Sequence, residues 1–149
     1  MRYFLHTNIV ILYLREDPLI QLIEDKFNPL SLDNEAFLSV VSKGELNALS
    51  KKNDWGEARI RKVERICDEL LITDINSEDV IERYGEIDAF SQGRLKNRPS
   101  RFSARNMSKN DLWIAATASV TKATLLTTDR DFEHLNGVFL TVEYIQLPT

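Results

Sequence analysis

The sequence predicts an α/β fold in which a central, mostly parallel sheet is flanked by helices, and three features carry that expectation. Short apolar runs of strand type recur at Arg2 to Leu5, Phe37 to Val41 and Ala123 to Thr127. Each is followed by polar residues and then by a stretch of helical or turn pattern, as where an open α/β sheet presents side chains at the carboxyl ends of its strands. The order strand, helix, strand, helix, helices, strand then implies parallel pairing with both sheet faces covered.

Taken in order, Arg2 to Leu5 is a buried strand, and Ile9, Leu12, Tyr13 and Leu14 share one helical stripe that ends at Arg15-Glu16-Asp17 before Pro18. A second amphipathic helix follows Pro18, with Leu19, Leu22, Ile23 and Phe27 inward, and Asn28-Pro29 stops it. Phe37 to Val41 is the next strand. Ser42 and Glu45 have capping-box spacing, which predicts a helix from near Ser42 to near Lys52. Another helix runs from about Glu57 to Leu71, with Ile60, Val63, Ile66, Cys67 and Leu70 inward, and Leu71-Ile72-Thr73 is a short strand. Ser77 caps a helix that extends through Val80, Ile81, Tyr84 and Ile87 towards Leu95. Lys96 to Met107 is a polar, basic loop. Asp111 to Val120 is an Ala-rich helix, Ala123 to Thr127 a buried strand, and Phe139 to Val142 with Tyr144 to Leu147 are closing strand segments.

At 149 residues and 43% hydrophobic composition the chain has length for one domain over residues 1–149, and is short for two. One cysteine, Cys67, allows no internal disulfide and too few thiolates for a Cys-based zinc site, which suits a reducing cytoplasm. Neither a secretory leader pattern nor an apolar stretch near the roughly 20 residues of a membrane span is present. The formal charge of −4 excludes a polycation that would bind nucleic acid through bulk charge, so the distribution of charge decides.

In this layout His6-Thr7-Asn8, Ser42 with Glu45, and Thr128-Asp129 fall on one carboxyl edge of the sheet, and Asp111 in the first turn of its helix lies beside them. Carboxylates brought together repel unless a cation lies between them, so convergence of Glu45, Asp111 and Asp129 points to a divalent metal site. Each acid also has a local reading: Glu45 as partner of the Ser42 cap, Asp111 as a helix-dipole acid, Asp129-Arg130-Asp131 as a solvated turn.

Four stretches carry a family resemblance: Arg2 to Asn8, Ser39 to Leu46, Asn110 to Ala118 and Leu126 to Phe132. In residue type, order and spacing the chain resembles PIN-domain proteins, close to the VapC-type toxins of bacterial toxin–antitoxin pairs. The resemblance implies a single PIN-like domain acting as a metal-dependent endoribonuclease, with Glu45, Asp111 and Asp129 as catalytic acids and metal ligands. Asp131 matches a further acid of the pattern, and Thr7, Asn8, Ser42 and Thr128 match supporting polar positions. His6 stands where the family has its first aspartate. One imidazole nitrogen in place of two hard oxygens disfavours Mg²⁺ and tolerates Mn²⁺ better, so a ligand role for His6 implies a weakened or inactivated site. Natural divergence and an inactivating change both account for His6, the second favoured because the rest of the constellation is whole, and a simple hydrogen bond at a strand end is compatible with either.

The resemblance also implies an RNA substrate, a cognate antitoxin and a homodimer. Arg98, Arg101, Arg105 and Lys109, in a basic stretch that ends just before Asp111, are candidates for RNA contact, with a solvated loop as the alternative. The alternative for the whole chain is a catalytically inactive PIN-like module that binds RNA or its antitoxin.

Overall fold

A computed structural model describes residues 1–148. Over them the chain forms β1 (Arg2–Leu5), α1 (Thr7–Arg15), α2 (Leu19–Lys26), β2 (Glu35–Ser39), α3 (Val40–Lys52), α4 (Glu57–Asp68) and β3 (Leu71–Thr73). There follow α5 (Glu78–Ser91), α6 (Lys109–Thr121), β4 (Thr124–Thr127), a 3₁₀ helix at Arg130–Leu135 and β5 (Val142–Tyr144). The sheet order is β3-β2-β1-β4-β5. All four pairings are parallel, with Phe4 opposite both Phe37 and Leu125.

Alternation along the strands divides the apolar side chains between two layers. Phe4 and Leu125 face a cluster with Ile87, Phe90, Leu112 and Phe132. Tyr3, Leu5 and Leu126 face another with Ile9, Ile23 and Leu46. Burial on both faces explains why these strands read as continuous apolar runs. β2 and β4 leave β1 on opposite sides, so the switch point of the sheet, where such folds open a crevice, lies at the carboxyl ends of β1 and β4.

The structure corrects several sequence-based boundaries. β2 spans Glu35–Ser39 and α3 begins at Val40, because Ser39, extended at φ −71° and ψ 144°, caps the helix by accepting a bond from the Val41 amide. Val40 and Val41 continue the strand's apolar run in composition but form the first turn of the helix. The capping box expected of Ser42 and Glu45 is therefore absent. Both are helical, with Ser42 fully buried. α5 stops at Ser91 rather than near Leu95: Gly93 at φ +73° donates to the Phe90 carbonyl and Arg94 to that of Ala89, a glycine-terminated helix end. In place of the two expected closing segments, Phe139 to Val142 and Tyr144 to Leu147, one strand, Val142–Tyr144, spans the end of the first and the start of the second, while Phe139 packs edge-on against Phe90, 5.3 Å between centroids. Ile60, expected inward on α4, is 36% exposed. The Lys96–Met107 segment has no regular structure, and Ser77 caps α5 through the Val80 amide, both as expected.

Candidate active site

β1 delivers His6 to the switch point as the extended residue that precedes α1, but its ring does not cap that helix. It turns instead between β4 and α6. Nδ1 lies 2.8 Å from Thr127 Oγ1, Nε2 lies 3.1 Å from Asp111 Oδ1, and the ring forms a T-shaped pair with Phe132, 4.9 Å between centroids. With Asp111 ionised, the N–H is at Nε2, and Nδ1 accepts the hydroxyl proton of Thr127. The same Thr127 oxygen accepts the Asp129 amide at 2.9 Å. Both imidazole nitrogens are thus engaged by hydrogen bonds, one to Thr127 and one to Asp111.

The other residues of this edge are fixed with similar care. The Thr7 hydroxyl is 2.7 Å from both Ser42 Oγ and Glu45 Oε1. It donates to the ionised carboxylate and accepts from Ser42, which orients Glu45 into the cleft. Asn8 donates to Thr128 Oγ1 at 2.7 Å, and its Oδ1 is buried without a partner. Ser108 caps α6 by accepting the Asp111 amide at 3.2 Å, which puts the Asp111 carboxylate in the first turn. Asp129 precedes the 3₁₀ helix and accepts the Asp131 amide at 2.9 Å.

His6, Glu45, Asp111 and Asp129 all line one open cleft of about 740 Å³. Asp111, Asp129 and Asp131 each present an oxygen within 4.8 Å of the others. Partial desolvation and then the charges of Asp129 and Asp111 raise the pKa of Asp131, opposed by nearby Arg105. Three converging oxygens with repulsion among them suit a hard divalent cation. Glu45 shares the cleft but stands outside this tight set.

The four cations nominated for RNA contact are dispersed. Arg98 donates to the Val138 carbonyl at 2.8 Å and lies over Phe139, on the segment leading into β5 at the amino edge, opposite the acids. Arg101 and Lys109 are exposed, and Arg105 is the one whose charge reaches Asp131. None of the four lines the cleft, whereas Lys52 does. Lys52, at the end of α3, and Thr127, which closes β4, are absent from the site residues expected from the sequence. The helical spacing of Glu45, Leu49 and Lys52 was the available signal for Lys52.

A family model of the PIN domain matches residues 3–138. No curated protein matches the chain. Among solved structures it is similar to VapBC2 from Rickettsia felis bound to a DNA fragment from the promoter: 24% identity, TM-score 0.70, covering 97% of this chain and 98% of that one. VapBC-1 from nontypeable Haemophilus influenzae is similar at 23% identity and TM-score 0.73, and DNA-bound VapBC from Salmonella typhimurium at 20% and 0.72. Both cover 97% of this chain and 98% of their own. At such identities the likeness to these structures is one of fold. The family match, however, runs from β1 to the segment before β5 and takes in every residue that lines the cleft, and on that ground the chain belongs to the PIN domain family.

Proposed function

We propose that this chain is a VapC-type toxin built as a metal-dependent endoribonuclease, with His6 attenuating its activity. The observation that carries the reading is the convergence of Asp111, Asp129 and Asp131 oxygens, the first two lining the cleft that Glu45 also faces. These three aspartates would hold Mg²⁺ or Mn²⁺. Such an ion supplies Lewis-acid stabilisation of a phosphodiester and a lowered pKa for a water that attacks it. Glu45, oriented by Thr7 and Ser42, is placed to accept a proton within the cleft. Thr127 and the Asn8–Thr128 pair steady the loop that bears Asp129. Arg105 and Lys52 offer positive charge at the rim to phosphates that the acids alone would repel.

A second reading has its own observation. His6 Nε2 sits on Asp111 Oδ1 and occupies one of the oxygens a metal needs, which favours a catalytically inactive module that binds RNA or an antitoxin. Cleavage of single-stranded RNA in Mg²⁺ and in Mn²⁺, by the chain and by His6→Asp, separates the two. The nuclease reading expects His6→Asp to raise Mg²⁺ affinity about tenfold or more and cleavage with it, and Asp129→Asn to abolish the gain. A folded His6→Asp protein that binds Mg²⁺ no better and cuts no RNA assigns the chain to the binding module.

Two further similar structures are described as a toxin–antitoxin complex and as a member of the VapBC family of toxin–antitoxin systems. We extend that to this chain as a cognate antitoxin, co-encoded, whose segment enters the cleft with a basic group. Copurification with the neighbouring gene product, weakened by Glu45→Ala with Asp129→Ala, tests it. A homodimer in the cytoplasm completes the proposal, with sedimentation as its check. No helix among the described residues is long and apolar enough to cross a membrane.

A further inference from the structure

The acidic cleft does not end at the acids. Ile11 and Leu49, on facing sides of α1 and α3, line it and also line a second cavity of about 350 Å³ that continues away from the carboxylates. The far cavity is walled by Arg15 at the end of α1, by Trp55 and by Arg59 in the first turn of α4. Lys52 borders the near cavity. The Arg59 guanidinium lies over the Trp55 ring, 5.4 Å from its centroid.

Two properties distinguish this end of the groove from an ordinary solvated surface. Arg15, Lys52 and Arg59 form no ion pair among the described residues, although the molecule carries a net charge of −4 and acids lie nearby. Trp55 is only partly buried, an indole held at a groove wall beside cations, which is the combination that binds single strands: cations follow phosphates while an aromatic face takes a base. α3, with 13 residues, extends about 20 Å from the cleft edge towards Lys52, long enough for a strand to run from the acids to Trp55.

From this we infer that the α1–α3 groove is the path of the single-stranded RNA substrate beyond the scissile phosphate, with Trp55 stacking on a base and Arg15, Lys52 and Arg59 contacting phosphates. The inference rests on the nuclease reading for its substrate class and adds where that substrate lies. It places the RNA track along α1 and α3 rather than along the Arg98–Lys109 stretch, whose four nominated cations do not line the cleft. An extended strand leaving a cluster of carboxylates needs positive charge at once, and on this side Lys52 provides it.

The test is anisotropy titration of the full chain with a labelled single-stranded RNA of about 12 nucleotides, in Ca²⁺ so that binding is read on intact oligonucleotide. Arg15→Ala with Arg59→Ala should reduce the slope of log affinity against log salt by about 1.4, two single-strand phosphate contacts. Trp55→Ala should weaken binding about fivefold or more. In a Trp113→Phe background, where Trp55 is the remaining tryptophan, RNA should quench its fluorescence, a readout that does not need Trp55 removed. Mn²⁺ affinity should stay unchanged in all these variants, because the three aspartates are untouched. Variants that keep wild-type RNA affinity and slope overturn the track and leave the nuclease reading standing. If they instead lose a co-encoded protein while keeping RNA, the groove belongs to that protein. If the unmodified chain binds no RNA and His6→Asp cuts none, the nuclease reading fails and the track with it.

Discussion

The Thr127 hydroxyl serves two neighbours at once, giving its proton to His6 Nδ1 and accepting the Asp129 amide. Thr127→Val keeps the shape and removes both bonds, leaving a buried imidazole nitrogen and an amide unsatisfied. The expected cost is about 2 kcal/mol of stability, with weaker Mn²⁺ binding as the Asp129 loop loosens, read by thermal unfolding and calorimetry. His134 offers a second residue-scale test. Its Nε2 is 2.7 Å from Ser91 Oγ, and its ring stacks against Phe90 and meets Phe102 edge-on. Burial first, and the Arg105 charge second, lower its pKa to about 4, against a weak opposing pull from the Asp131 backbone. Because the folded pKa is depressed, the unfolded chain takes up this proton first. Stability should therefore fall as pH drops from about 6.5 towards 4, by roughly 2 kcal/mol after allowance for partial exposure, and His134→Gln should flatten that part of the slope. His6 and Asp129 were legible in the sequence because they follow apolar runs at strand ends, and Asp111 because it opens a helix. Thr127 was not, since a threonine closing a strand of TLLT type looks like β-propensity, and nothing local shows that its hydroxyl spans two elements.

Among the elements, α6 bears most directly on chemistry, because its first turn holds Asp111 and its buried small residues let it lie close against α5 and the sheet. Ser108→Ala removes the cap whose Oγ accepts the Asp111 amide. A loss of about 1 kcal/mol in unfolding free energy is expected, with a drop in metal affinity out of proportion to that loss, because fraying displaces a ligand. An unchanged metal affinity would show that His6 alone fixes Asp111. The existence and type of every helix, the 3₁₀ turn apart, followed from periodicity, capping spacing or composition. Boundaries failed where two signals coincided, as at Ser39 and Ser42: both serines precede helical pattern, and the capping-box glutamate favoured the wrong one. What Glu45 does with Thr7, a residue 38 positions away, is invisible to any reading of local spacing.

For the molecule as a whole, the parallel sheet covered on both faces was legible from alternation of element types, whereas the path of the cleft towards Trp55 depends on how α1, α3 and α4 pack, which no strand-end rule contains. The three aspartates meet only in the folded chain, so a bound cation must stabilise the whole of it. Mn²⁺ at a hundredfold excess over its dissociation constant should add about 2.7 kcal/mol and raise the melting temperature, and Asp129→Asn should abolish the rise. The position of β1 has a further consequence, one for biosynthesis. The first strand made is the middle strand of the sheet, and it pairs on one side with β4, which ends at Thr127. Until the residues from β4 onward have been released, β1 keeps an open edge, Asp129 does not yet exist near His6, and Leu125, Phe132, Leu135 and Val142 are missing from the core of the α6 layer. A chain stopped at Lys122 should show no cooperative unfolding transition. A copy interrupted before β4 would thus lack the partner strand of β1 and the Asp129 side of the cleft, so the cleft is assembled only after residues 124–131 have been added.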